Sequence, residues 1–493
     1  MLALLLSTGL AWLTSQYEFR GRRAFEVLLI TPLALPAYVA AYAWVEFTAY
    51  SAPLASTVRG WGCLERLPDI RNSVGAATIL GLSLMPYIYM LARLAFGQQA
   101  SRLGEIADSL GVSSRQAFWR IYLPLAWPAL AAGASLVVME SLADYGVASY
   151  MGINTVTVTV YKTWFAGEQK LTAIALVLCL VISCAALLRL EQRWRGQAAK
   201  YQSKVTAQAW TRQRLHRGAS LLALGCCTAV LAMGFVIPVG SLLWLWLREG
   251  LPVNAARLWP AIGHSVQLAT LGALCVLLIA SAALLLQRMQ PPPMASTSNP
   301  QHFRLRFRFQ SLGFRLNHAL ATLMRINQLG YAIPGVAIAL AILWPVTAMD
   351  KAVAQLFNTD LLITGSIAGV VLAYVIRFYA VAHNSVEQGL QRITPNMQDA
   401  AASLGASPTH IVRRVYLPLL APTLGSAWVL VWIDCLKELP ATLMLRPFDF
   451  DTLPVLTYQW VADERAAQAA LPSLLLVLLG LVPVALLKRL QRR

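Results

Sequence analysis

Residues 105–124 read EIADSLGVSSRQAFWRIYLP, and residues 399–418 read DAAASLGASPTHIVRRVYLP. Every aligned pair is offset by 294, with identities at Ala107/Ala401, Ser109/Ser403, Leu110/Leu404, Gly111/Gly405, Ser113/Ser407, Arg120/Arg414, Tyr122/Tyr416, Leu123/Leu417 and Pro124/Pro418. The offset carries on to Pro128/Pro422 and to two acidic pairs, Glu140/Asp434 and Asp144/Glu438. Upstream, Leu35-Pro36-Ala37 matches Ile333-Pro334-Gly335 at a slightly different spacing. Self-similarity at a fixed period marks a duplicated unit. Two homologous halves are therefore expected, 1–200 and 201–493.

The repeated stretch has a local logic. Glu105–Leu110 is expected as a short helix whose opening acid suits the positive end of the helix dipole. Gly111 and Gly405 follow where a left-handed residue ends a helix. Ser113 and Ser407 are natural N-caps. Ser113-Ser114-Arg115-Gln116 makes a capping box, and Pro408 stands at the first helical position of the second copy. The product is helix–turn–helix, then Leu-Pro where the chain enters an apolar block. A rigid exposed element of this kind suits docking more than chemistry.

Of the 493 residues, 58% are hydrophobic and 13% charged. Soluble domains carry about 25% charged residues, and disordered chains are poor in apolar ones. Both classes are excluded, and an all-α polytopic membrane protein is expected. A bilayer core needs about 20 apolar residues in helix. Ten segments qualify, near 24–47, 72–97, 123–147, 171–188, 219–247, 264–287, 329–349, 362–383, 416–437 and 471–488; residues 1–16 make a short eleventh. That first block lacks a basic lead and is not read as a signal peptide.

The net charge is +18. Placing 189–218 in the cytoplasm and alternating the rest puts 26 Lys/Arg in the inner loops and 10 in the outer ones. This is the positive-inside bias, and it accounts for the basic balance without nucleic acid. It places the C-terminus, both copies of the repeat and Arg489–Arg493 in the cytoplasm. The halves are then parallel repeats about an axis along the membrane normal. The alternating run Phe303–Phe309 is expected to meet anionic lipid.

Glu-x-Ala-x3-Gly, nine residues, then Ile-x-Leu-Pro resembles the EAA loop of binding-protein-dependent ABC importer permeases. Asp399 replaces Glu in the second copy, Ile106 replaces an Ala in the first, and Val415 replaces Ile. The resemblance implies two type I permease bundles, each with a coupling helix that docks on a cytoplasmic ABC ATPase homodimer. It implies ATPase-coupling roles for Glu105, Ala107, Gly111, Pro124, Asp399, Ala401, Gly405 and Pro418, and a periplasmic binding protein on the other face. Twelve spans would then be usual, so the first half is expected to lack its opening span. The stretches Met139–Gly146, Lys437–Pro447, Thr163–Phe165 and Ala462–Arg465 are similar to fused permeases of ferric-iron importers. Related permeases serve thiamine, polyamines, sulfate or molybdate.

No Gly precedes a Lys, so the phosphate-cradling loop GxxxxGK[ST] is absent. No cofactor is expected on this chain, and ATP falls to the partner subunit. Ionisable groups inside spans are costly and point to function. Glu140 and Asp144 stand one helical turn apart, and Asp434 and Glu438 repeat the arrangement. Two readings are open: an acidic ring that passes a hard cation, or structural acids that cap helix ends or pair with Lys437. The six histidines share no helical spacing, and the seven cysteines no CxxC pair. Trp44, Trp164, Trp344 and Trp460 read as interface anchors, with core packing as the alternative. An ion-gradient-driven secondary transporter is the rival class; it has no use for twin docking loops.

Overall fold

Pro32 and Pro36 break the first expected span. The computed structural model describes residues 1–49, 51–61, 67–109, 113–167, 169–198, 213–249, 255–288, 329–357, 365–391, 393–394, 397, 400–401 and 403–490. Within 24–47 the chain forms a helix Arg22–Leu28, a 3-10 turn Thr31–Ala34 and a second helix Ala37–Thr48, bent by 93° at the break. The cause is local. Proline disfavours helical backbone in the residue before it, and Leu35 is extended with ψ 115 ahead of Pro36. The second half repeats this: a 3-10 turn Leu329–Ala332 precedes Ile333-Pro334, and a helix starts at Gly335.

Among the described residues, eight helices are long and apolar enough to cross a bilayer, against the ten or eleven spans expected: Ser73–Gly97, Phe118–Ala143, Lys170–Leu190, Arg217–Arg248, Ala255–Arg288, Gly335–Gln355, Ile367–Gln391 and Thr409–Lys437. The 24–47 segment is the broken one, and Leu2–Gln16 is short. The last expected span lies within the helix Ala466–Leu490.

A second correction concerns Glu105–Leu110. Glu105–Ser109 is no separate short helix but the end of one helix, Ser73–Ser109, that runs unbroken out of the span, and Leu110 lies outside the described residues. The second half differs: the helix Ile367–Gln391 ends there, and the sequence places Pro395 where the first half has Ser101. Proline disfavours helical backbone in the residue before it, which accords with a helix end ahead of position 395; the first half has no proline at this level, although its helix contains Pro86 further back.

Three π-helical turns share one context. Phe118–Tyr122, Ala232–Val236 and Val412–Tyr416 each precede an X-Pro pair, Leu123-Pro124, Ile237-Pro238 and Leu417-Pro418. In each, the residue before the proline donates its N–H five residues back, to the carbonyls of Phe118, Ala232 and Val412. A proline ring clashes with the carbonyl four residues earlier, and the wider turn carries that carbonyl aside. The first and third turns are themselves 294 residues apart.

Packing divides the chain into two compact units: Met1–Ala261 with Thr452–Leu481, and Ile262–Asp451 with Val482–Arg493. In the first, Leu2–Gln16 lies along the Ser73–Ser109 helix through Ala3, Ser7, Leu10, Ala11 and Thr14, a buried stripe at helical period. Ser7 Oγ donates to the Met85 carbonyl (2.7 Å), the Thr14 and Tyr89 hydroxyls bond at 3.1 Å, and Gln16 Nε2 donates to the Phe96 carbonyl (3.1 Å). Small residues with polar rungs are how helices adhere in lipid, where each rung is worth about 0.6 kcal/mol. A two-residue parallel pairing ties Tyr17–Glu18 to Gln213–Arg214. Trp460, read above as an interface anchor, is 2% exposed and belongs to the core.

In the second unit, Leu284, Val386, Leu390, Ile393, Ile411, Tyr416 and Leu420 form a core beneath the repeated loop, with Ala401 and Ala406 packed against it. Trp432 Nε1 donates to Thr270 Oγ1 at 3.2 Å.

Candidate functional site

The two loops are built on matching cores. Beneath the first lie Ala92, Phe96, Ala117, Tyr122 and Ala126; beneath the second lie Val386, Leu390, Ile411, Tyr416 and Leu420. Each pair keeps the 294 offset. Tyr122 and Tyr416 are identical, and at the other four positions the first set has alanine or phenylalanine where the second has an aliphatic side chain, so those backbone positions are filled by different shapes.

On the second core, Gly405 adopts φ +80, a conformation that costs a residue with a Cβ about 1–2 kcal/mol. The Ala406 N–H reaches back to the Ala401 carbonyl at 3.2 Å, the six-to-one bond of a Schellman ending. Ser407 Oγ accepts the His410 N–H and Ser113 Oγ the Gln116 N–H, both at 3.4 Å. Helix–turn–helix is therefore in place in the second copy, and Leu404 stands 89% exposed at its turn. Ala401 is half-buried, and Pro124 and Pro418 lie exposed where the membrane helices begin. Glu105 and Ala107 lie on the last turns of the Ser73–Ser109 helix. Gly111, Asp399 and the Phe303–Phe309 run lie outside the described residues.

The four acids divide into two kinds. Asp144 follows the last residue of the helix Leu123–Ala143, and its carboxylate accepts the Ala148 N–H at 3.1 Å. Glu438 occupies the matching place after Leu417–Lys437 and accepts from the Ala441 N–H (2.9 Å), the Thr442 N–H (2.9 Å) and Thr442 Oγ1 (2.7 Å). Both carboxylates therefore cap the first turn of a short helix, Gly146–Tyr150 and Pro440–Leu445. This is the structural reading for two of the four. Glu140 and Asp434, one turn earlier, are half-buried. Among the described residues no three His, Cys, Asp or Glu converge on a metal-sized site.

Glu438 has a cationic neighbour other than Lys437: Arg377 Nη1 lies 3.7 Å from its Oε1, both side chains nearly enclosed. Gly335 makes room for the pair. A Cβ there would stand 2.4 Å from Arg377 Nη1 and 2.7 Å from Glu438 Oε1. The first half has Ala37, Ser83 and Asp144 at the corresponding places. Sequence reasoning that weighed only acids passed over Arg377, although an arginine within an apolar helix carries the same signal.

Within each unit, contacts join loops that the charge pattern assigns to the same face. Arg71 bonds the Tyr150 hydroxyl and Arg248 the Ser51 carbonyl, each at 3.4 Å. His264 Nδ1 donates to the Asp451 carbonyl at 3.0 Å. These join segments that alternation places on one face. Tyr17–Glu18 with Gln213–Arg214, and Arg288 with the Leu390 carbonyl, join segments of the other.

Such an assembly defines a class: a duplicated membrane bundle that carries two copies of one loop sequence on matching cores. The chain belongs to the binding-protein-dependent transport system inner membrane component family, which matches residues 3–194 and again 315–493. It is a fused permease of an ABC importer, with the type I permease fold repeated twice. It is 25% identical over 492 residues to the Fe(3+)-transport system permease protein FbpB 2 of Haemophilus influenzae, covering 99% of this chain and 86% of that one. The putative 2-aminoethylphosphonate transport system permease protein PhnV of Salmonella typhimurium is 33% identical over 162 residues, covering 33% of this chain and 57% of that one. The sulfate transport system permease protein CysT of Escherichia coli is 27% identical over 145 residues, covering 29% and 51%.

Proposed function

We propose that this permease carries ferric iron, handed to it by a periplasmic binding protein and moved inward by a cytoplasmic ATPase dimer. One observation carries the iron reading: the likeness to an Fe(3+) permease runs end to end, whereas the likenesses to phosphonate and sulfate permeases stop within a third of this chain. The higher local identity of the phosphonate permease favours an oxyanion as the second reading.

ATP hydrolysis belongs to the partner, which docks on 105–124 and 399–418; exposed Leu404 supports this. The C-terminus then faces the cytoplasm. ATP must bind one state of the complex better than the other to drive the bundles between inward-open and outward-open forms. The binding protein docks on the loops 148–170 and 438–470. In the latter, the Arg446–Asp451 ion pair (2.6 Å) and the stacking of Phe450 on His264 (centroids 4.0 Å apart) fix a turn that leaves Phe448 98% exposed. Asp144 and Glu438 serve as caps, which leaves Glu140 and Asp434 as the oxygen ligands that a hard cation would pass.

Proteoliposomes holding the permease with its ATPase, supplied with binding protein and either radiolabelled ferric iron, sulfate or 2-aminoethylphosphonate, test the assignment. ATP-dependent uptake of iron alone is expected. Uptake of an oxyanion and not iron overturns it. Deleting 105–120 should abolish coupling to ATP hydrolysis while the chain still inserts.

A further inference from the structure

The two loops sit on matching cores, yet each is held by a different side chain reaching in from the end of a preceding helix. In the first half, Gln16 donates to the Phe96 carbonyl at 3.1 Å. One turn earlier Trp12 packs on Phe96, Phe118 and Tyr122, with ring centroids 5.4, 5.0 and 4.7 Å away. In the second half, one residue makes both contacts. Arg288, the last residue of the helix Ala255–Arg288, donates through Nη1 to the Leu390 carbonyl and through Nη2 to the Ile393 carbonyl. Its guanidinium also lies 5.9 Å from the centre of the Tyr416 ring. Leu390 and Tyr416 are the 294-offset partners of Phe96 and Tyr122.

The chemistry fits the difference in the helices beneath. The Ile367–Gln391 helix ends here, and its terminal carbonyls lack intrahelical partners. The guanidinium gives a second donor to the Leu390 carbonyl in the last turn, which also accepts the Ile393 N–H at 3.1 Å, and a donor to the Ile393 carbonyl just past the helix, and it meets the negative end of the dipole. The Ser73–Ser109 helix does not end at this level, so an amide and an indole suffice there. From this geometry we infer that Arg288 is the positioning residue of the second coupling loop: it clamps Leu390 and Ile393, at the near end of the loop, to Tyr416, at the far end. Trp12 with Gln16 is its uncharged counterpart in the first half. The inference rests on the reading of 399–418 as an ATPase dock.

Lysine keeps the charge but offers a single point of donation in place of the arginine fork. Arg288→Gln and Arg288→Lys are compared with the parent chain in the complete permease–ATPase complex in nanodiscs. Amide hydrogen exchange is followed at 400–406 and 113–122, and affinity is measured for the purified ATPase subunit. Arg288→Gln should speed exchange at 400–406 and leave 113–122 unchanged. It should weaken ATPase binding about fivefold, the low end for coupling between sites, with Arg288→Lys between the two. Unchanged exchange at 400–406 overturns the clamp. Faster exchange with undiminished ATPase affinity leaves the clamp in place but removes its role in coupling, and the fault then lies with the docking reading. If Arg288→Gln does not assemble, Arg288→Lys carries the same comparison, and parent-like exchange in it overturns the two-carbonyl grip.

Discussion

Arg377 lies 3.7 Å from Glu438 in the second half, where the first half has Ser83 and Asp144. The acid is common to both halves, as a helix cap; the cation is added in one. Removing one partner of a buried pair strands the other, at about 3–5 kcal/mol. The two removals are unequal here. Without Arg377, Glu438 keeps three hydrogen-bond donors. Without Glu438, both the cap and the charge partner are gone.

Glu438→Ala should therefore destabilise by about 3–5 kcal/mol, and Arg377→Ala by about 1–3 kcal/mol. Thermal unfolding of the purified permease, followed by thiol accessibility of buried Cys435, ranks them. The opposite order would mean that the ion pair outweighs the cap.

Gly405→Ala forces a Cβ into left-handed backbone at a cost of about 1–2 kcal/mol. Ser407→Ala removes one long cap bond, at the lower end of the 0.5–2 kcal/mol range. In ATPase pull-down titrations, Gly405→Ala should be the weaker binder. Equal binding by both variants would show that the turn does not set the loop.

Pro418→Ala restores a donor and removes the ring that the π turn accommodates. If the turn relaxes to α-helix, residues before it rotate by about 100°. Cysteines introduced singly from 411 to 415 should then change which positions label, since 413 and 414 are now exposed and 411 is buried. An unaltered labelling pattern would assign the π turn to some cause other than proline.

Glu140→Gln combined with Asp434→Asn should lower iron uptake while assembly and ATPase capture persist. Undiminished uptake would remove both acids from the pathway.

What was legible in the sequence was what short-range backbone chemistry decides. Gly405 ends a helix because a left-handed residue is needed there, and Ser113 and Ser407 cap because their hydroxyls reach the N–H three residues on. The bend at Pro36 was also written in the sequence, since a residue before proline avoids helix, but an apolar run of suitable length hid it. The continuity of Ser73–Ser109 follows from the lack of a proline after Pro86 in that helix, set against Pro395 in the other half. Whether an acid lines a path or caps a helix depends on where the next helix begins, and Asp144 and Glu438 could not be separated from Glu140 and Asp434 without it. Arg288 was out of reach: its partners lie 102 and 105 residues along the chain.

The residues Thr452–Leu481 belong by number to the second copy of the repeat, yet they pack within the unit formed mostly by the first. A gene cut between codons 200 and 201 would thus divide the first unit between two polypeptides, residues 1–200 on one and 201–261 with Thr452–Leu481 on the other, and leave the second unit undivided. The first unit is expected to reach its native form only when both polypeptides are made in one cell.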